Sequence, residues 1–581
     1  MTCVVVNLLV LYLALLLTGV GGEMCACVTL DHEWGGSYAA KFSASTLHPF
    51  VAFEVVLTLD QPAGSLEFWT GEIEKMDDTH FKLYNDNFLV GTGGYLKFDF
   101  QVHYSGDSRP DVIDATMNGV DVCDGGDRWT TETPYENSCL STGMLPYDYS
   151  QALCMSFLFY EAQRSGHLPD TQRVTWRWDS AMNDGGDVGL NLTGGYYDAG
   201  DHVKFGFPMS FTATMLAWGL IDFAEGYETA GQTDYGREAL KWATDYFLEA
   251  YTAYWEFYGQ VGEGGIDHGY WGRPEDMFMK RPSAKIDTEA PGSELAAETA
   301  AALAAASIVF KEDDPDYSTK MLGVAKELYD FADELREYYH NSIKDAAGFY
   351  RSWSGYGDEL CWAALWLNRA TGNKTYLTKA QEHWEEFTLA EDALQFSWDD
   401  KKAGDYALGS MLDPENPQYE TALKAFLKYL KNDASYTPGG LVFLDEWGSN
   451  RHAANVAFIS LWAAKYGDQA DSEANRQWAE GQMNYIMGDA GHSFVVGFGV
   501  DPPQRPHHRS SSCPLPPASC TDGWAQNQDG PNPHVLYGAL VGGPAKDGSY
   551  VDDRKDYQHN EVACDYNAAY TGALAAMIEN S

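Results

Sequence analysis

Apolar residues alternate with polar ones over the first fifth of the chain and then recur every three to four residues, so no single uniform domain can form. From Cys25 to Cys123, runs such as Phe53–Leu59 and Leu96–Val102 carry the period of two, punctuated by Gly, Asn and Asp clusters. That pattern predicts short antiparallel strands in a β-sandwich over residues 23–123. Residues 124–145 are polar and irregular, as a linker is. From Pro146 the period is helical, most clearly in Asp148–Ser165, Ala296–Phe310, Tyr329–His340, Leu360–Ala370 and Ala453–Lys465. About twelve such segments run to the end, with long Gly-, Pro- and Asp-rich connections between several of them. Helices in that number, taken in pairs, predict a closed ring of helical hairpins over residues 146–581, its loops gathered at one end where function sits.

A length of 581 residues with 45% hydrophobic content supplies one large core and one smaller one. The net charge of −47 excludes nucleic acid and an acidic membrane face as partners, and leaves a neutral polymer or a cation. Eighteen Trp and 36 Tyr exceed what packing demands. Most belong to the core, but flat rings with polar edges also suit the C–H faces of pyranose sugars.

The apolar run Val4–Leu17, followed by Thr18-Gly-Val-Gly-Gly22, reads as a cleaved signal peptide over residues 1–22, although no Lys or Arg precedes it. An uncleaved anchor is the alternative, disfavoured by the short run and the missing basic flank. No later stretch reads as a membrane span, so the protein is expected to be secreted, with no membrane partner. Loss of Cys3 leaves nine of the ten cysteines in an oxidising compartment, an odd number. Cys513 and Cys520 bracket a Pro-rich loop and are candidates to bridge. No zinc-ligand spacing occurs. Asn191-Leu-Thr and Asn373-Lys-Thr are N-glycosylation acceptor sequences.

Three loop segments carry chemistry. In Gly194-Gly-Tyr-Tyr-Asp-Ala-Gly-Asp-His-Val-Lys-Phe-Gly-Phe-Pro208, two Asp three apart flank small residues that let both carboxylates converge on one water. The same loop also suits a helix cap or a cation. In Tyr550–Ala568, Glu561 stands at the mouth of the last helix among Tyr557 and Tyr566, where an acid's pKa can rise. A first-turn Glu favoured by the helix dipole is the competing reading. In Asp501-Pro-Pro-Gln-Arg-Pro-His-His-Arg509, no metal spacing is completed, and Arg509 offers planar donors for hydroxyls or a carboxylate.

Together, and in their order along the chain, these segments resemble the three motifs of glycoside hydrolase family 9, whose inverting enzymes cut β-1,4-glucans; the likeness runs from about Tyr147 to the C-terminus. The resemblance implies an (α/α)6 barrel and an endo-β-1,4-glucanase. It implies Asp201 as general base, Asp198 as its partner in holding water, and Glu561 as general acid. It likewise implies that His507 and Arg509 bind the sugar beside the scissile bond, and that Asp552 joins the catalytic set as a supporting carboxylate. His268, Tyr350, Trp353, Trp447, Arg451 and Tyr566 match the family's cleft patterns and are expected to line subsites. Ser354, Gly355, Asp358, Glu359 and Asp399 resemble the family's structural calcium site, with Asp400 as a substitute for Asp399; hard oxygen donors crowded in a turn suit that ion. No organic cofactor is implied.

The front region, from His32-Glu-Trp-Gly-Gly-Ser-Tyr to Cys123, resembles family 2 carbohydrate-binding modules, which lie on crystalline cellulose through three aromatic rings. Trp34, Trp69 and Tyr84 match those positions, with Tyr84 in place of the usual Trp. The family's end-to-end disulfide implies Cys123 with Cys25 or Cys27. The combined resemblance implies a secreted monomer acting on cellulose and other β-1,4-glucans. A binding protein with an inert catalytic region, or an enzyme on mixed-linkage glucan or glucomannan, are the competitors; retention of Asp198, Asp201 and Glu561 speaks against the first.

Overall fold

The structure, a computed structural model, describes residues 25–580 except 26, 46–52, 86–94, 107, 118–119, 123–138, 140–146, 517, 519 and 521. The expected signal peptide, Cys123 and all of the 124–145 linker but Cys139 lie outside the described residues. The chain divides into two compact units, Met1–Thr133 with Leu515–Ser519, and Pro134–Pro514 with Cys520–Ser581.

The first unit holds β1 (Val28–Trp34), β2 (Ser37–Ser45), β3 (Phe53–Leu59), β4 (Ser65–Phe68), β5 (Glu72–Lys75), β6 (His80–Asn85), β7 (Tyr95–His103), β8 (Val112–Met117) and β9 (Val120–Asp121). They form two antiparallel sheets, ordered β1-β2-β7-β4 and β5-β6-β3-β8-β9. The period of two does what it predicts: along β3, Phe53, Val55, Leu57 and Leu59 are buried. Both sheets contribute to one apolar core, in which Phe53 meets Phe68 edge-on and stacks on Phe98. Trp34 and Trp69 are left 46% and 63% exposed. Tyr84 is half-buried; its hydroxyl donates to Glu72 at 3.0 Å and the Lys82 ammonium lies over its ring. Cys25 is disulfide-bonded, and its sulfur lies 3.0 Å from that of Cys27.

Among the described residues of the second unit, twelve helices exceed ten residues: α1 (Tyr149–Gln163), α2 (Gly206–Asp222), α3 (Thr233–Ala250), α4 (Ser293–Phe310), α5 (Pro315–Glu334), α6 (Gly357–Thr371), α7 (Lys374–Glu386), α8 (Lys402–Leu412), α9 (Pro417–Asn432), α10 (Ser449–Tyr466), α11 (Ser472–Asn484) and α12 (Cys564–Glu579). The even-numbered ones are apolar nearly all round and buried to match, as in α12 and α4. Most odd-numbered ones bury a single stripe, as α9 does with Tyr419, Leu423, Phe426, Leu427 and Leu430. α2 packs on α4, α4 on α6, α6 on α8, α8 on α10, α10 on α12, and α12 on α2. Each also packs most extensively on one odd-numbered partner: α3 on α2, α5 on α4, α7 on α6, α9 on α8, α11 on α10, and α1 on α12.

Two expectations change here. α4 is long and apolar enough to span a bilayer, but it is buried among these helices, and its alanines serve close packing instead. Tyr329–His340 is not one helix. α5 stops at Glu334 because the N-terminus of α4 captures the residues just beyond it: Ser293 N–H donates to Glu337 O at 2.8 Å, and Glu294 accepts from Tyr339 N–H at 3.0 Å. Cys513 and Cys520 are bridged as expected. A second bridge, Cys139–Cys154, ties the segment ahead of α1 to that helix.

Candidate active site

The loop ahead of α2 turns at Asp198-Ala-Gly-Asp201, where Asp198 N–H donates to Val203 O at 3.0 Å. A Cβ on Gly200 would lie 2.0 Å from the His507 carbonyl oxygen, so only glycine allows this approach. Across that bare backbone Arg509 N–H donates to Gly200 O at 3.0 Å. The second segment lies along the third: His507 N–H donates to Asn560 O at 2.8 Å, and His507 bridges Glu561 in parallel fashion. Cys564 N–H donates to Asp198 O at 2.8 Å and closes the triangle. Main chain thus holds together three segments far apart in sequence. Asp198, Asp201, His507 and Glu561 line one cleft of about 690 Å³, together with His268, Tyr350, Trp353, Trp447, Arg451, Arg509 and Tyr566.

Glu561 does not stand in the first turn of the last helix. It occupies extended backbone (φ −62°, ψ 150°) between the short helix Tyr557–Asn560 and α12, whose first-turn acid is Asp565. The helix-dipole reading therefore lapses. Its carboxyl accepts from the Trp447 indole N–H at 2.9 Å. Burial, helped by the charge of Asp201, pushes its pKa up to about 7 against that bond.

The two aspartates are driven apart. Burial and the neighbouring Asp201 charge hold Asp198 well above the carboxylate range, although the Tyr350 hydroxyl donates to it. Burial also works against charge on Asp201. The bond from His268 Nε2 at 3.1 Å and the positive charges of His268 and Arg509 outweigh it, and Asp201 falls below its ordinary pKa. His507 Nδ1–H donates to Arg554 O at 2.7 Å, which leaves Nε2 as an acceptor, and burial lowers its pKa to about 4. Arg451 pairs with Asp565 at 3.0 Å and lies over the Tyr566 ring; Arg509 lies over Trp271 and 3.3 Å from Asp267. Trp353, 76% exposed, and Trp447, 44% exposed, stand at the rim.

Asp552, expected in the catalytic set, is not on this cleft. Its carboxylate accepts from Gln504 N–H at 2.9 Å and Arg505 N–H at 3.0 Å, so it braces the loop that leads to His507. Several cleft residues have no role assigned from the sequence, among them Asp445, Trp271, Trp398 and Phe349. Behind them, Asp267 and Asp565 are buried carboxylates that orient the two arginines.

Around the N-terminus of α6, Ser354 Oγ donates to the Asp399 carbonyl, and Asp399 Oδ1 accepts from Trp353 N–H at 2.8 Å. Asp358 accepts from Lys401 N–H at 2.7 Å; Glu359 Oε1 meets the Lys401 ammonium at 2.9 Å. Glu359 Oε2 is buried without a hydrogen-bond partner, an oxygen that a hard cation would satisfy. Asp400, the possible substitute for Asp399, accepts from Lys402 N–H at 3.1 Å and lies 3.6 Å from the Lys402 ammonium.

What such a cleft can do is set by its carboxyl groups. One is held charged, another is held protonated close to neutrality, and indole faces flank them; these are the means by which a glycoside hydrolase works. Comparison with known proteins then gives the family. Residues 149–574 match the glycosyl hydrolase family 9 model, and the chain belongs to that family. Endoglucanase A of Bacillus pumilus is 46% identical over 451 residues, 75% of this chain and 67% of that protein. The structure of an endoglucanase from the termite Nasutitermes takasagoensis at pH 2.5 is 56% identical with a TM-score of 0.73, covering 75% of this chain and 99% of that one. The cellulase Cel9M of C. cellulolyticum in complex with cellobiose is 37% identical with a TM-score of 0.69, over 75% and 99% of the two chains.

Proposed function

We propose that this chain is a secreted endo-β-1,4-glucanase, a cellulase that hydrolyses internal bonds of cellulose and related glucans with inversion at the anomeric carbon. The observation that carries the reading is the convergence of Asp198, Asp201 and Glu561 on one cleft, with Asp201 held charged and Glu561 protonatable near neutrality. Asp201 takes a proton from the water that attacks the anomeric carbon, and Asp198, steadied by Tyr350, helps to hold that water. Glu561 delivers its proton to the leaving glycosidic oxygen as the C–O bond breaks, and the bonding pair departs with that oxygen. His507 and Arg509 hold the sugar beside the bond; His268, Arg451, Tyr566, Trp353 and Trp447 hold its neighbours. No organic cofactor enters this chemistry.

The twelve helices close into an (α/α)6 barrel over residues 146–581, behind a linker at 124–145 and a cellulose-binding β-sandwich at 23–123. Trp34, Trp69 and Tyr84 rest on the polymer, and the exposure of the two indoles supports this. Ser354, Gly355, Asp358, Glu359 and Asp399 hold a structural calcium ion; the partnerless Glu359 oxygen supports it. The enzyme acts as a monomer outside the cell, after removal of residues 1–22. Glu561→Gln tests the central claim: cellulose binding is expected to persist while nearly all hydrolysis disappears. Near-normal turnover refutes the assignment of the acid, and a β-configured initial product, read by NMR, refutes inversion.

A further inference from the structure

We infer that the cleft has a second, inhibitory occupant: a borderline divalent transition-metal ion, typified by zinc, held by Asp201, Asp267 and His268. Among the described residues, these three form a group whose ligand atoms all lie within 4.8 Å of one another. Two of the atoms already have the right span. His268 Nε2 and Asp201 Oδ2 are 3.1 Å apart, and two ligands at zinc distances on a tetrahedral ion stand about 3.3 Å apart. The third residue has an oxygen to give. Asp267 Oδ1 accepts from His202 N–H at 3.2 Å and faces Arg509 at 3.3 Å. Its Oδ2 is buried with no hydrogen-bond partner, in a residue only 2% exposed. A carboxylate oxygen buried without a donor is unfavourable, and a cation relieves it.

The donor set chooses the ion. One imidazole and two carboxylates suit zinc or copper, whereas calcium takes six to eight oxygens and magnesium keeps most of its water. The His268 side chain is 42% exposed to the cleft, so water can complete the coordination shell. The Arg509 guanidinium beside Asp267 opposes added positive charge, which makes this a reversible site and not a structural one. On binding, the ion replaces the proton shared by His268 and Asp201, which leaves to solvent. The ion then engages the Asp201 lone pair needed for water. Inhibition rests on the reading of Asp201 as the general base; binding does not.

The test is equilibrium dialysis of the full chain against zinc in saturating calcium, for the native protein, Asp267→Asn and His268→Gln, each checked for native circular dichroism. The variants are expected to lose one bound zinc or to bind it at least about tenfold more weakly. Equal stoichiometry and affinity in all three overturn the site. If neither variant folds, zinc-edge X-ray absorption of the native protein decides: one imidazole among oxygens supports the assignment, and a sulfur or multi-imidazole shell overturns it. In parallel, activity on a soluble glucan is expected to fall in step with zinc occupancy and to return after chelation and calcium readdition. Full activity at full occupancy overturns the inhibition, and the base assignment of Asp201 with it, while leaving the site in place.

Discussion

Replacing Trp447 by Phe removes the one hydrogen bond that opposes the raised pKa of Glu561 and keeps an aromatic ring at the rim. The indole N–H donates to Glu561 Oε2 at 2.9 Å and so favours the carboxylate, whereas burial and the charge of Asp201 favour the acid. A hydrogen bond to a charged group contributes about 1.5–3 kcal/mol. Trp447 is 44% exposed, so the low end applies, and about 1.5 kcal/mol is about one pKa unit. In the proposed role of general acid Glu561 must be protonated, so activity is expected to be lost as pH rises through its pKa. Loss of a bond made to the charged form raises that pKa and carries the basic limb upward, from about 7 to about 8. At pH 8 the native enzyme would keep about a tenth of its plateau and the variant about half. The assay is kcat/KM on a soluble cello-oligosaccharide across about pH 5–10, which reports the free enzyme. A limb that stays in place or moves down refutes the reasoning.

Gly200→Ala is expected to lower kcat by about a hundredfold with the fold intact, because the new methyl forces the His507 carbonyl back from a 2.0 Å approach; steady-state kinetics showing less than a threefold change would sink this. Trp69→Ala in the full chain is expected to reduce binding and activity on crystalline cellulose while sparing soluble substrate, and equal losses on both argue against a targeting role. Removal of calcium by a chelator is expected to lower the melting temperature, with recovery on readdition, since an ion bound only by the folded state stabilises it by mass action. An unchanged melting curve counts against the ion.

How much of the fold and the site was legible in the sequence depends on whether a property is local. The period of two in β3 and the single stripes of the outer helices are local, and the structure shows both. The three motif segments announced themselves by residue type, and their expected members Asp198, Asp201, His507 and Glu561 share the cleft. Side-chain direction is not local. Asp552 sits in the right motif but turns to the backbone of Gln504 and Arg505. Asp267 was in plain view beside His268, yet its burial depends on His202 and Arg509 arriving from elsewhere. Trp398 stood inside a stretch noted only for calcium, and nothing in its neighbours says that it faces Tyr350. The break after Glu334 likewise comes from α4, through Glu294, and not from the residues that break.

The backbone triangle through Gly200, His507 and Cys564 also has a consequence in time. About 360 residues separate Asp198 from Glu561, and at ribosomal rates of about 5–20 residues per second the first half of the site waits roughly 20–70 seconds for the second. Until Cys564 donates to Asp198 and α12 seats against α2, the nascent chain holds a pair of aspartates with no acid opposite them. With Glu561 as the proposed acid, hydrolytic competence is expected late and all at once, and a chain interrupted before Glu561 is expected to be inert however well its earlier helices have folded.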